Sequence, residues 1–127
     1  VVDGDTIDLA NGERVRLLGV DTPEREECYA EEATTFLRDW LQSEEVYLEA
    51  DTRERDDYGR LLRYVFTDIE PSGQATSTEL LVNEALVEKG YAVSLPIGPD
   101  DRYREILYQS HLSAKDSGLG LWSDCLQ

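Results

Sequence analysis

Two acidic segments near the beginning of the chain hold side chains that could bind a metal ion. Asp5 lies within the segment Val2–Thr6, and Asp21 directly follows an apolar run that ends at Val20. We expect both aspartates at strand ends, where loops can gather carboxylates together with backbone carbonyl groups. Oxygen ligands without histidine suit a hard cation, either calcium or magnesium. Each segment taken by itself is typical of an ordinary turn.

Two arginines and a glutamate add the other charges that phosphodiester hydrolysis needs. Arg16 precedes the second aspartate, and Arg60 ends the segment Asp56–Arg60. A guanidinium group stays charged and can bind two phosphate oxygens at once. His111 is the single histidine of the chain, so Glu24 is the natural general base. Arg16 alone is typical of a solvated strand charge, and the segment Asp56–Arg60 alone is typical of a turn. The combination favours phosphodiester hydrolysis.

The charge of the chain is unusual for a protein that binds nucleic acid. The 127 residues carry 28 acidic and 12 basic side chains, which gives a formal net charge of −16. Proteins that bind nucleic acid usually carry a basic surface that neutralises phosphate. An acidic, lysine-poor surface suits either a high-salt habitat or ordinary solubility, and both interpretations stay open. A polyanionic substrate would need local help from arginine or a metal ion.

Length and composition predict one globular domain over residues 1–127. No apolar run reaches the length of a membrane span, so no membrane partner is expected. No pattern indicates an oligomeric state. Val1 lies within a strand-like segment, so we expect that natural residues precede it. Cys28 and Cys125 either form one disulfide that closes most of the chain or remain two thiols, and we favour the disulfide.

Periodicity and turn residues predict a mainly β domain with α-helices, built as a five-stranded barrel-like sheet with three helices. The predicted strands are Val1–Val2, Thr6–Leu9, Arg14–Val20, Val46–Leu48 and Leu61–Thr67. The predicted helices are Tyr29–Leu41, Glu79–Lys89 and Arg102–Lys115. Asn11–Gly12 indicates a hairpin between the second and third of these strands. The inward positions expected for the third helix are Tyr103, Ile106, Leu107, Ser110 and Ala114.

These segments, taken in order, resemble the staphylococcal (micrococcal) nuclease family. The matching blocks are Val2–Thr6, Arg16–Glu24, Asp56–Arg60, Val82–Val87 and Leu121–Ser123. They span nearly the whole chain, which is far more specific than any single motif. The resemblance implies the staphylococcal nuclease fold: a five-stranded OB-fold barrel plus three helices. It also implies that residues 1–127 form a single domain from which most of the family's first strand is missing.

The resemblance further implies a calcium-dependent nuclease that cleaves DNA and RNA and leaves 3′-phosphate ends. Ca2+ is expected to bind the carboxylates of Asp5 and Asp21 and the backbone carbonyl of Thr22. Glu24 is the expected general base. Arg16 and Arg60 are expected to hold the scissile phosphate and stabilise the transition state. A secreted or extracytoplasmic location is expected from the same resemblance together with the disulfide.

Three features depart from the family's type member. The loop between Glu24 and Tyr29 is much shorter and lacks lysine, and Asp57 stands where that member has a phosphate-binding lysine. The stretch Leu95–Pro99 has no aromatic residue in place of base-stacking tyrosines. We expect catalysis to survive, with a changed substrate affinity. A disulfide between Cys28 and Cys125 would tie the C-terminal tail to the shortened loop.

Two non-enzymatic alternatives compete with the nuclease. The first is a non-catalytic OB-fold module that binds nucleic acid or protein, and the second is an acidic calcium-binding interaction module. Loss of the base or of one arginine would signal the first alternative. Arg16, Glu24 and Arg60 are all present, and the second alternative leaves the two arginines without a purpose. The enzyme is therefore favoured.

Overall fold

A computed structural model describes residues 1–125, which form seven strands and four helices. The strands are β1 (Thr6–Asp8), β2 (Arg14–Leu17), β3 (Val20–Asp21), β4 (Tyr47–Arg55), β5 (Leu61–Ile69), β6 (Ala75–Leu81) and β7 (Val93–Ser94). The helices are α1 (Ala30–Leu41), α2 (Val82–Glu88), α3 (Arg104–Asp116) and α4 (Leu121–Asp124). None of the helices within residues 1–125 is long and apolar enough to cross a membrane.

Five strands form one mixed sheet whose centre is β5. The order is β1-β2-β5-β4, and β6 pairs with the later half of β5. The hairpin predicted at Asn11–Gly12 is confirmed, because β1 and β2 pair antiparallel around it. β2 and β5 pair in parallel, while β3 and β7 form a separate two-stranded sheet. Among the described residues no ladder closes the five strands into a ring, so the expected OB-fold barrel stays a prediction.

The first part of the chain departs from the predicted strands at two places. The strand expected over Val1–Val2 is absent, because the turn that follows folds back and Val2 N donates to Thr6 O at 2.9 Å. The strand expected over Arg14–Val20 breaks at Gly19, whose φ of 77° favours glycine. Val20, the last residue of that predicted strand, instead begins β3 and pairs with β7.

The charged middle of the chain forms more sheet than expected. β4 continues well beyond the predicted Val46–Leu48, because its charged residues form ion pairs such as Arg55 with Glu13 at 2.8 Å. β6 was not predicted, since its Thr-Ser-Thr-Glu stretch has no apolar alternation. It takes up the residues where the second helix was expected to begin, so α2 starts at Val82 rather than Glu79.

The core lies between the sheet and the helices. The predicted first helix is confirmed, and α1 buries Ala33, Leu37 and Trp40 on one face. The third helix is confirmed as α3, and it buries Leu107 and Ala114. The inward position expected for Ile106 is wrong, because its side chain is 47% exposed. The main cluster contains Ile7, Val15, Leu17, Val20, Leu37, Trp40, Leu41, Val65, Val82, Leu86, Val87, Ala92 and Leu107.

A fourth, short helix and a disulfide fasten the end of the described chain. The expected count of three helices omits α4, whose Leu121 N donates to Gly90 O at 2.9 Å. The backbones meet closely there, since a Cβ on Gly120 would lie 2.3 Å from the Gly90 oxygen. Cys28 and Cys125 form a disulfide that joins the residues before α1 to those after α4.

Reduction of this disulfide should lower the free energy of unfolding by about 2–5 kcal/mol, because the bond closes a loop across a sequence separation of 97 residues. Urea denaturation with and without reductant measures the change. Intact mass checks that reduction has occurred, as a gain of about two daltons. The double variant Cys28→Ser, Cys125→Ser is the control and should not respond to reductant. An unchanged midpoint in the fully reduced parent would contradict the prediction.

His111 links α3 to β7 and is expected to make stability depend on pH. Its Nδ1 accepts a hydrogen bond from Ser94 N at 3.1 Å, and its ring packs edge-on against Trp122. Burial lowers the pKa of His111, and the charge of Lys115 lowers it further. The neutral ring therefore contributes stability that is complete above about pH 6.5 and is lost as the pH falls below this value towards the lowered pKa of the folded protein.

The variant His111→Gln should lose less stability than the parent between about pH 8 and about pH 5. Gln does not titrate, so the pH-dependent loss of the Ser94 hydrogen bond is removed. The measurement is the difference between the two urea midpoints at each pH, since the 28 acidic residues titrate in both proteins. Parallel pH profiles would show that His111 does not carry this dependence.

Candidate active site

A cleft of about 430 Å³ lies where the segments that carry the predicted site meet. Its lining includes all six residues that the resemblance marked, namely Asp5, Arg16, Asp21, Thr22, Glu24 and Arg60. Asp3, Pro23 and Arg25 complete the lining. The structure thus brings residues from both halves of the chain to one place.

Strand register explains this convergence. Thr6 of β1 lies opposite Arg16 of β2, so the residue before β1, Asp5, lies beside that arginine. β2 pairs in parallel with β5, and Val15 lies opposite Leu61. Arg60 directly precedes Leu61, so its backbone lies beside Arg14, two residues along β2 from Arg16, and its side chain lines the cleft.

Asp5 holds the floor of the cleft together. It is only 7% exposed, and its Oδ2 accepts hydrogen bonds from both the N–H and the hydroxyl of Thr22, each at 3.0 Å. Its Oδ1 accepts a third bond from the Thr6 hydroxyl at 3.2 Å. Gly4 allows this close approach, since a Cβ there would lie 2.9 Å from Thr22 and Ala33. The turn before β1 is thereby joined to the residue after β3.

Arg16 spans the break between β2 and β3. Its Nη1 donates to the carbonyl oxygens of Leu17 at 2.5 Å and Val20 at 2.9 Å. Its Nη2 lies 3.4 Å from Asp5 Oδ2 and 3.5 Å from Asp21 Oδ1. These two contacts are longer than the 2.7–2.9 Å typical of a charge-assisted hydrogen bond. Arg16 therefore fixes the turn firmly and the two carboxylates only loosely.

Negative charge is crowded around Asp21. Burial raises the pKa of Asp21; Arg16 lowers it, and Asp5, Glu24 and Glu27 raise it further. The overall shift is upward although the side chain is 48% exposed. A proton or a cation is therefore favoured at this carboxylate.

Glu24 lies on the exposed face of a tight loop. Its N–H donates to Glu27 Oε1 at 2.7 Å, and Glu27 N donates back to the Glu24 carbonyl at 2.8 Å. The loop then passes Glu26 and Tyr29, which have positive φ values of 76° and 75°. The disulfide at Cys28 fastens the far side of the loop. The short loop thus holds Glu24 at the rim of the cleft.

Arg60 is oriented by the turn that precedes it. Its Nε donates to Asp56 Oδ2 at 2.6 Å, and Asp56 Oδ1 accepts from the N–H groups of Arg60 and Tyr58. Burial raises the pKa of Asp56, but these hydrogen bonds outweigh it and lower the pKa overall. The guanidinium carbon lies 5.5 Å from the centre of the Tyr58 ring. Because the ion pair uses Nε, it leaves the Nη atoms of Arg60 for other contacts.

Two charged lining residues had no assigned role in the sequence analysis. Asp3 lies in the first acidic segment, and its Oδ1 accepts from Asp5 N at 3.1 Å. Burial raises the pKa of Asp3, and the charge of Asp5 also raises it. Arg25 directly follows Glu24, a position that no local pattern distinguishes. The cleft has four carboxylates and three guanidinium groups, so its positive and negative charges nearly balance, although the whole protein has a net charge of −16.

The substitution Arg16→Lys should lower the free energy of unfolding by about 1–3 kcal/mol, since an ammonium group cannot satisfy both carbonyls and both carboxylates. Arg60→Lys is the matched control. Arg60 is more exposed and forms one local ion pair, so its replacement should cost less than about 1 kcal/mol. Urea denaturation in the presence of a chelator measures both. An equal loss in the two variants would show that Arg16 does not stabilise the turn between β2 and β3.

The chain is similar to known proteins over nearly its whole length. The family model described as "Staphylococcal nuclease homologue" matches residues 14–124. A thermonuclease of Staphylococcus intermedius is 34% identical across 96% of this chain and 72% of its own length. A thermonuclease of Staphylococcus hyicus is 32% identical across 98% of this chain and 73% of its own length. A micrococcal nuclease of Shigella flexneri is 35% identical across 98% of this chain and 71% of its own length. The chain therefore belongs to the staphylococcal nuclease family.

Proposed function

We propose that this protein is a calcium-dependent nuclease that hydrolyses phosphodiester bonds in DNA or RNA. The observation that carries the proposal is the cleft, where Asp5, Asp21, Glu24, Arg16 and Arg60 line one space. The relatives named thermonuclease and micrococcal nuclease support a nuclease activity. The near balance of charge in the cleft gives a polyanionic substrate a place to bind on an acidic protein.

The donor atoms of the cleft fit a hard cation. We propose that the carboxylates of Asp5 and Asp21 and the backbone carbonyl of Thr22 hold calcium. The loose contacts of Arg16 leave carboxylate oxygens with capacity to bind an ion. Within residues 1–125 no cluster of three or more His, Cys, Asp or Glu side chains is arranged for a metal. Calcium takes 6–8 oxygen ligands, so water and substrate phosphate would complete the set.

The side chains of the cleft then divide the chemistry among them. Glu24 takes a proton from the attacking water, whose oxygen forms a bond to phosphorus. Arg16 and Arg60 hold phosphate oxygens and stabilise the charge that grows as phosphorus becomes five-coordinate. Bound calcium supplies further positive charge at the phosphate. The bond from phosphorus to the 5′ oxygen breaks, this oxygen gains a proton, and a 3′-phosphate end remains.

The proposal extends to the fold and the location. We infer that residues 1–127 form one domain and that the five-stranded sheet curves as an OB-fold barrel. The shared central strand β5, with partners on both sides, supports such curvature. We also infer a secreted or extracytoplasmic location, because the disulfide between Cys28 and Cys125 requires an oxidising compartment.

Digestion of single-stranded DNA by the parent and by Glu24→Gln tests the proposed function. The substitution should lower turnover by roughly 10²–10⁴, the range for a positioned general base. Stability should barely change, because the Glu24 side chain is exposed. Reactions contain calcium, magnesium or a chelator, each at low and at molar salt. Cleavage should require calcium.

Glu26→Gln is the matched control, since it removes the same charge two residues away, outside the lining of the cleft. Its turnover should stay close to that of the parent. Activity of Glu24→Gln within a few-fold of the parent would remove Glu24 from the role of base. No cleavage by the folded parent under any condition would favour a non-catalytic OB-fold module that binds nucleic acid or protein.

A further inference from the structure

Arg25 is a guanidinium group in the cleft for which the proposed chemistry has no role. The other two arginines of the cleft are paired, Arg16 with two aspartates and Arg60 with Asp56. No carboxylate oxygen of residues 1–125 lies within 4.0 Å of a guanidinium nitrogen of Arg25. This holds although Glu24 and Glu26 are its sequence neighbours. The exposed Arg25 side chain therefore keeps its donors for a group outside the protein.

Arg25 also lies at the border between two cavities. The cleft adjoins a groove of about 770 Å³, and Asp3, Pro23 and Arg25 line both cavities. The groove follows the first turns of α1 as far as Arg38. A chain that leaves the cleft on this side must therefore pass the Arg25 side chain.

We propose that Arg25 binds the phosphate next to the scissile one where a polynucleotide leaves the cleft. This inference rests on the proposed nuclease function, which places the scissile phosphate at Arg16 and Arg60. A guanidinium group can hold a phosphate through two parallel hydrogen bonds. Arg25 thereby determines specificity for substrates with more than one phosphodiester, and it takes no part in bond cleavage.

The charge of the groove limits this contact to one flanking phosphate. Beyond Arg25 the lining includes Glu26, Glu27, Glu31 and Glu32, which repel phosphate. Arg38 at the far end is likewise exposed and has no ion pair among the described residues. Since the substrate does not extend that far, Arg38 offers a matched control with the same charge and exposure.

Steady-state kinetics on two substrates test the proposal, with Arg25→Gln and Arg38→Gln compared against the parent. One substrate is a thymidine 5′-nitrophenyl phosphate diester, which has a single phosphodiester, and the other is a short deoxythymidine oligonucleotide. Arg25→Gln should lower kcat/KM for the oligonucleotide roughly tenfold, mainly by raising KM. It should lower kcat/KM for the single diester by less than about twofold. The slope of log kcat/KM against log salt should weaken by about 0.7, as for one lost contact to a single strand. Arg38→Gln should leave kcat/KM unchanged for both substrates.

Three results would overturn the proposal. An equal loss on both substrates would place Arg25 at the scissile phosphate or in the support of the Glu24 loop. An unchanged kcat/KM of Arg25→Gln for the oligonucleotide, or an equal loss of kcat/KM in Arg38→Gln, would show that no specific phosphate contact exists.

A parent that cleaves neither substrate would refute the proposed enzyme without deciding the role of Arg25. Fluorescence anisotropy of the labelled oligonucleotide, with calcium present, then decides it. Binding weakened roughly tenfold in Arg25→Gln but not in Arg38→Gln supports the phosphate contact. Equal affinities in the two variants refute it.

Discussion

The buried carboxylate of Asp5 is the interaction on which the rest of the site depends. A buried charge is costly unless it is paired and hydrogen-bonded. Asp5 meets this requirement through Thr22 and Thr6, with Arg16 at 3.4 Å. Thr22 directly follows β3, Thr6 begins β1 and Arg16 lies within β2. Satisfying one carboxylate therefore brings three segments into a single arrangement, and the cleft forms around it.

The distribution of charge shows how an acidic protein can present a site for a polyanion. Many arginines act within the protein, as in the pairs Arg55–Glu13 and Arg63–Glu54 that support the charged strand β4. Such pairs neutralise surface locally and leave the net charge at −16. The cleft differs because three guanidinium groups meet there. Short-range contacts, rather than a general basic surface, must then attract the phosphate.

The loop that carries Glu24 illustrates a second constraint. The loop is short, and hydrogen bonds between Glu24 and Glu27 close it at one end. The disulfide joins its other end to Cys125 after α4, and Gly120 just before α4 packs closely against Gly90 just after α2. The position of Glu24 thus depends on contacts made by residues near the opposite end of the chain.

Local signals in the sequence determined the hairpin at Asn11–Gly12 and the helix α1, whereas the resemblance marked six of the residues that line the cleft. Each signal depends on near neighbours, either through turn chemistry or through the period of a helix. The blocks of the family supplied the six residues because their order along the chain could be compared directly. The sequence allowed Cys28 and Cys125 to be either two thiols or one disulfide. Only the folded chain brings the two residues together.

Tertiary structure alone decided the break at Gly19, the strand β6, the exposure of Ile106 and the place of Arg25 in the lining of the cleft. β6 has no apolar alternation and exists because β5 offers it hydrogen bonds. The break at Gly19 exists because Val20 leaves the main sheet and pairs with Ser94 of β7. These features depend on pairing between segments distant in sequence, where register and side-chain contacts override local preference.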